Sequence, residues 1–188
     1  HDVIRRQRQM CIRDSFYIAG GAITQIIWNS IDRKPLLAQV KDFDVVYFDR
    51  SNLVTEDEFK NRIGSRLSHS VDVDVKNQAL IHERYSEKFG CSIQAYERVE
   101  QGIESWLSAF AIGFTIGSAG NIKLFTPYGL DDAFNMLIKP NRKAMTETNY
   151  NKMTDGYKAR WQTVQVLPWS WPTNKLFKSD SQRVAFLL

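Results

Sequence analysis

The sequence predicts an α/β (or α+β) fold: a small mixed β-sheet with helices packed against it. Three observations predict it. The run Lys41-Asp42-Phe43-Asp44-Val45-Val46-Tyr47-Phe48-Asp49 reads as a buried strand, because four consecutive apolar residues include two β-branched and two aromatic side chains. Val71-Asp72-Val73-Asp74-Val75 alternates strictly, which is a second strand with valines on the inner face and aspartates on the other. Between them Thr55-Glu56-Asp57-Glu58 is a capping box, opening a helix that puts Phe59, Ile63 and Leu67 on one face.

Each element follows in order. Phe16-Tyr17-Ile18 is a short extended run that passes through Ala19-Gly20-Gly21 into a helix carrying Ala22, Ile23, Ile26, Ile27 and Ile31 at helical spacing, with Trp28 beside them. Residues 30–39 form a loop marked by Asp32 and Pro35, and the acidic strand follows it. After the alternating strand, Lys76-Asn77-Gln78 closes the run, and a helical piece continues through Ile81, His82 and Tyr85. Residues 92–107 read as one helix, with Ile93, Tyr96, Val99, Ile103, Trp106 and Leu107 apolar. Residues 109–117 and 122–125 are expected as two strands joined by the turn residues Ser118-Ala119-Gly120-Asn121. Thr126 to Asp132 is a turn leading into a short helical or extended segment, and residues 146–161 are a helix.

The chain has 188 residues, 43% of them hydrophobic, enough for one sizeable core. The expected organisation is a domain over 15–165, with 166–188 a C-terminal segment loosely attached. Residues 1–14 are set aside as a non-native or disordered tail, since Arg5-Arg6-Gln7-Arg8-Gln9-Met10-Cys11-Ile12-Arg13-Asp14-Ser15 looks like translated sequencing-adapter sequence. Without that tail 21 basic and 19 acidic residues remain, a balance that leaves nucleic acid possible as a partner but does not mark a surface for it. No run is long and apolar enough to span a bilayer, and no signal peptide is read at the start. Cys11 and Cys91 lack metal-ligand spacing, so the expected setting is reduced and cytoplasmic.

The chemistry starts at the acidic strand. Side chains alternate across a strand, so Asp42 and Asp44 share one face while Phe43 and Val45 share the other. Adjacent carboxylates repel unless a cation sits between them, most simply a divalent metal. The double glycine at a helix start lets backbone N–H groups approach phosphate oxygens, where the helix terminus favours negative charge. A further aspartate on a later strand supplies a third carboxylate. Phosphoryl and nucleotidyl transfer needs these parts.

These residues carry a resemblance. Ala19-Gly20-Gly21-Ala22-Ile23 followed by Asp42-Phe43-Asp44-Val45-Val46 resembles the core signature of the DNA polymerase β-like nucleotidyltransferase superfamily, which includes tRNA CCA-adding enzymes and aminoglycoside nucleotidyltransferases. Three further blocks resemble a bacterial nucleotidyltransferase-like family: Asp44 to Asp49, Val75-Lys76-Asn77-Gln78-Ala79 with His82, and Pro127 to Asp132. Together with Lys139-Pro140-Asn141 they extend the likeness over most of 16–165. The resemblance implies a nucleotidyltransferase-like fold, magnesium held by Asp42 and Asp44, and phosphate contact by Gly20 and Gly21. Asp74 is the candidate third ligand and catalytic carboxylate, with Asp72 as rival. Both face the same way, and Asp74 is favoured because it directly precedes the Val75–Gln78 block. Lys76 is a candidate triphosphate contact. Two positions depart from the family pattern: Thr24 and Gln25 stand where a basic residue often follows the glycines, and Trp106-Leu107-Ser108-Ala109 replaces a Trp-Pro-Glu-Thr run.

Each feature also has a plainer reading. The glycines alone make a tight turn, Asp42 alone starts a strand, Asp72 and Asp74 line a solvated face, and Lys76 is a surface lysine. Asp49 is expected to cap the turn at Ser51-Asn52, Asn77 and Gln78 to tie the strand end to backbone, and Asp131-Asp132 to cap a helix. His82 is expected to be a hydrogen-bonded packing residue, and the C-terminal tryptophans to be core or interface. Two functions follow. One is an enzyme moving a nucleoside monophosphate from an NTP to an unknown hydroxyl acceptor, whether small molecule, RNA or protein. The other is a non-catalytic nucleotide-, RNA- or protein-binding module of the same fold, as in an antitoxin.

Overall fold

A computed structural model describes residues 16–67, 71–117, 120–142 and 145–172. The N-terminal tail and residues 173–188 lie outside the described residues, as do Ser118 and Ala119 of the expected turn. The main sheet has five strands: β1 (Phe16–Ala19), β2 (Phe43–Tyr47), β3 (Val73–Asn77), β4 (Gly113–Ile116) and β5 (Ile122–Phe125). Their order is β3-β2-β1-β4-β5, with β2 and β3 parallel and the other neighbours antiparallel. The mixed sheet is the expected one.

Helix α1 (Gly21–Ile31) leaves β1 through Gly20. Helix α2 (Glu56–Gly64) makes the crossover between the parallel strands. Its capping box forms as expected: the Thr55 hydroxyl accepts from the Glu58 amide, and the Glu58 carboxylate accepts from the Thr55 amide. Tyr47, Val73 and Val75 on the rear of the sheet bury against Phe59 and Ile63 of this helix. Helix α3 (Ile81–Phe89) follows β3, α4 is Val99–Glu104, α5 is Asp131–Phe134, and α6 is Glu147–Arg160. A second, two-stranded sheet pairs β6 (Leu137–Ile138) with β7 (Gln165–Val166) in parallel.

The largest core lies between α1, α6 and the small sheet. Trp28 is fully buried there, edge-on to Phe110, Tyr157 and Trp161 at 5.5, 5.6 and 5.5 Å, and its indole N–H donates to the Ala133 carbonyl. Trp161 is core, as expected, and donates to Asn29, whose amide holds the Leu36 and Ala38 carbonyls of the α1–β2 loop. Of the C-terminal segment, Leu167 donates its amide to Ile138, and Trp169 packs on Tyr150.

Four expectations are corrected. The helix over 92–107 is only Val99–Glu104: the Gln101 side chain accepts from the Glu97 amide and closes the N-terminus, and the preceding residues form a wall instead. The strand over 109–117 shortens to Gly113–Ile116, because the Phe110 and Ala111 amides turn back onto the Leu107 carbonyl. Asp131 and Asp132 do not cap α5, whose N-cap is Leu130 with no side-chain bond; Asp132 instead accepts from Ser108 and pairs with Lys139 at 2.6 Å. His82 is not a hydrogen-bonded packing residue: its Nδ1 is buried without a partner among the described residues.

Candidate functional site

The site is built on one face of the sheet. Ala19 is opposite Asp44, and Asp44 is in register with Asp74 on the parallel neighbour β3. Alternation then puts Asp42, Asp44 and Val46 on the face shared with Asp74 and Lys76, while Phe43, Val45 and Tyr47 face α2. Gly20, Gly21, Asp42, Asp44, Asp74 and Lys76 all line a single cavity of about 660 Å³, within the range of small-molecule sites. All six residues singled out in the sequence therefore meet. Asp72 does not line this cavity; it faces a smaller recess with Lys41, Lys60 and Asp42.

The glycine turn has a specific need for glycine. Gly20 has φ 81° and ψ −144°, and a Cβ there would lie 2.9 Å from Asp44 Oδ2 and 2.8 Å from the Trp106 ring. The turn thus brings backbone directly beneath a carboxylate. Gly20, the N-cap of α1, has no side chain to cap the helix, and the first turn carries no acidic residue. Helix α2, by contrast, has the Thr55 box and three acidic residues in its first turn. The start of α1 lines the cavity, and a helix N-terminus favours an anion.

The acidic donors are all oxygen, which suits a hard divalent cation. Lys76 Nζ holds Asp74 Oδ1 at 2.7 Å, and the described residues contain no ready-made group of three metal-ligating side chains. Asp42 and Asp44 offer oxygen donors of that kind on one face of the sheet, and Asp74, in register with Asp44, is ion-paired to Lys76. Lys76 lies in the cavity wall, ion-paired to Asp74. Glu56, also in the cavity wall, is already satisfied by the Asn77 amide and by Arg84.

A family model described as nucleotidyltransferase matches residues 6–166. The chain belongs to that nucleotidyltransferase family. No curated protein matches it. A solved structure described as an NMR structure that reveals a CCA-adding enzyme head domain is similar in fold, with a TM-score of 0.67 and 18% identity over 86% of this chain and 85% of that one.

Several side chains of this nucleotidyltransferase-family site escaped the sequence reading. Trp106, Phe110, Met145, Met153 and Tyr157 give the cavity an apolar part of its lining, with the Trp106 ring beside Asp44 at Gly20. The Tyr157 hydroxyl is 3.4 Å from where a Gly21 Cβ would lie. Burial pushes its pKa up, more than the Arg160 guanidinium lowers it, and the Asp44 charge adds to the rise. It therefore stays a neutral donor at ordinary pH. Of the departures from the family pattern, Thr24 is structural and donates to the Ala109 carbonyl at 2.6 Å, while Gln25 lines the cavity beside Gly21 and accepts from Arg160. The expected roles of Asp49 and Asn77 hold. Asp49 accepts from the Ser51 amide and hydroxyl, and Asn77 exchanges two bonds with the Asp49 backbone. Gln78 fills the notch left by Gly102 on α4.

Among the described residues no helix is long and apolar enough to cross a membrane.

Proposed function

We propose that this chain transfers a nucleoside monophosphate from an NTP to a hydroxyl acceptor and releases pyrophosphate. The observation that carries the reading is the convergence of Asp42, Asp44 and Asp74 in one cavity with the glycine-led start of α1. Asp42 and Asp44 hold magnesium, with Asp74 as the third carboxylate. When bound, the metal offsets the charge of the triphosphate and of the leaving pyrophosphate. The amides beside Gly20 and Gly21 take phosphate oxygens, and the Lys76 ammonium adds a second anchor. The acceptor hydroxyl gives up its proton to solvent water as its oxygen bonds to the α-phosphorus, the bond from that phosphorus to the bridging oxygen breaks, and pyrophosphate leaves with the electron pair. Positioning and fixed charge carry most of the rate. An NTP donor suits a reaction in the cytoplasm.

The test is Asp44→Asn assayed with labelled NTPs and magnesium. NTP turnover is expected to fall by about a hundredfold or more, the scale of removing one preorganised electrostatic contact. Unchanged turnover refutes the assignment.

The Lys76–Asp74 pair gives the second reading its support, because an engaged third carboxylate suits a module that binds nucleotide without turning it over. Calorimetry separates the two from a partner-binding role: magnesium-dependent NTP binding without turnover favours the module, and no nucleotide binding at all favours RNA or protein as its ligand.

A further inference from the structure

Asp74 and Lys76 are two residues apart on β3, so both side chains emerge on the face that carries Asp44. The lysine stem bends back until Nζ is 2.7 Å from Asp74 Oδ1, and both side chains remain about one-third exposed to the cavity. Opposite Lys76 in the register stands Val46, which is 1% exposed, so β2 offers the ammonium no second carboxylate at that level. The ammonium therefore stands on one oxygen of Asp74, beside the place a divalent ion needs in order to recruit that carboxylate.

We propose that Lys76 is an internal counter-cation that keeps Asp74 out of the metal set until a triphosphate draws the lysine away. This rests on Asp42 and Asp44 being a metal pair. A cation and an ammonium cannot both contact the same carboxylate oxygen without strong repulsion. An incoming triphosphate presents more negative charge than Asp74 does, and Lys76 reaches it from the same cavity wall. Nucleotide binding then releases Asp74. The chain without nucleotide holds one divalent ion on Asp42 and Asp44, and the nucleotide complex holds two. Lys76 is in this sense a positioning residue that couples metal count to substrate.

Mn²⁺ binding to the full chain, counted by electron paramagnetic resonance with and without a non-hydrolysable NTP analogue, tests this without turnover. Wild type is expected to bind one ion alone and two with the analogue. Lys76→Met is expected to bind two without the analogue, with the second site about tenfold tighter than in wild type, a modest figure because the pair is partly exposed. Lys76→Arg is expected to keep the wild-type pattern. Asp74→Asn is expected to stay at one ion under both conditions, and it serves if Lys76→Met does not fold. Equal counts and affinities in wild type and Lys76→Met overturn the inference while leaving the metal pair intact. No Mn²⁺ on any form, even with the analogue, overturns the metal pair itself and this inference with it.

Discussion

At the scale of single residues, Gly20 shows how backbone geometry and chemistry meet. Its conformation costs other residues about 1–3 kcal/mol, and a Cβ there would press on both Asp44 and Trp106. Gly20→Ala is therefore expected to lose about 1–3 kcal/mol of stability in urea unfolding and to weaken nucleotide binding in calorimetry; a variant equal to wild type in both would show the turn to be merely permissive. Asp42, Asp44 and Asp74 were legible because period-2 alternation assigns each to a face. Alternation could not choose between Asp72 and Asp74, which share that face; the place of Asp74 directly before the Val75–Gln78 block favoured it, and of the two it is Asp74 that lines the cavity. His82 misled because a histidine at the start of a helix ordinarily finds a partner, and here its Nδ1 is buried without one.

At the scale of elements, the blocks that follow the sheet act as clamps on one turn. The Asn141 amide donates to the carbonyls of Ser105 and Trp106 at 3.1 and 2.8 Å, and the Tyr128 hydroxyl donates to the Glu104 carbonyl at 2.6 Å. Ser108, Asp132 and Lys139 tie down the far side. Together they hold Trp106 over Gly20. The sequence showed these blocks but not their target, because clamp and turn are more than twenty residues apart and no local period links them. The same distance explains the overlong helix over 92–107: apolar spacing alone continued it, whereas Tyr96 and Trp106 serve a cavity wall. Asn141→Ala is expected to cost about 1–3 kcal/mol, the scale of leaving buried carbonyls unpaired, and to change the emission of Trp106. Unaltered stability and fluorescence together would count against the clamp.

At the scale of the whole molecule, buried phenols set the alkaline limit. Burial is the main reason that Tyr17, Tyr47 and Tyr150 are each pushed up to about 12 from the ordinary value of 10.0. Between about pH 10 and 12 the unfolded chain gives up phenolic protons that the folded chain retains. Stability from this source is therefore fully present below pH 10 and is lost as pH rises through that window. The urea midpoint is expected to fall from about pH 10 upward, with a shallower fall in Tyr47→Phe. That variant should also be neutral or slightly more stable near pH 7, because the Tyr47 hydroxyl is buried without a partner among the described residues. An unchanged midpoint up to pH 12 would contradict the burial argument.

The strand order has a further consequence for how the chain is made. The middle strand, β1, is the earliest of the five in the chain, yet one of its two partners is β4, where Ile18 pairs with Phe114. During synthesis β1 can zip to β2 early, but its other edge must wait until the ribosome has released the chain well past Ile116. In that interval an unpaired strand edge stands open, and a chaperone that shields it would raise the yield of native protein more than one acting after release.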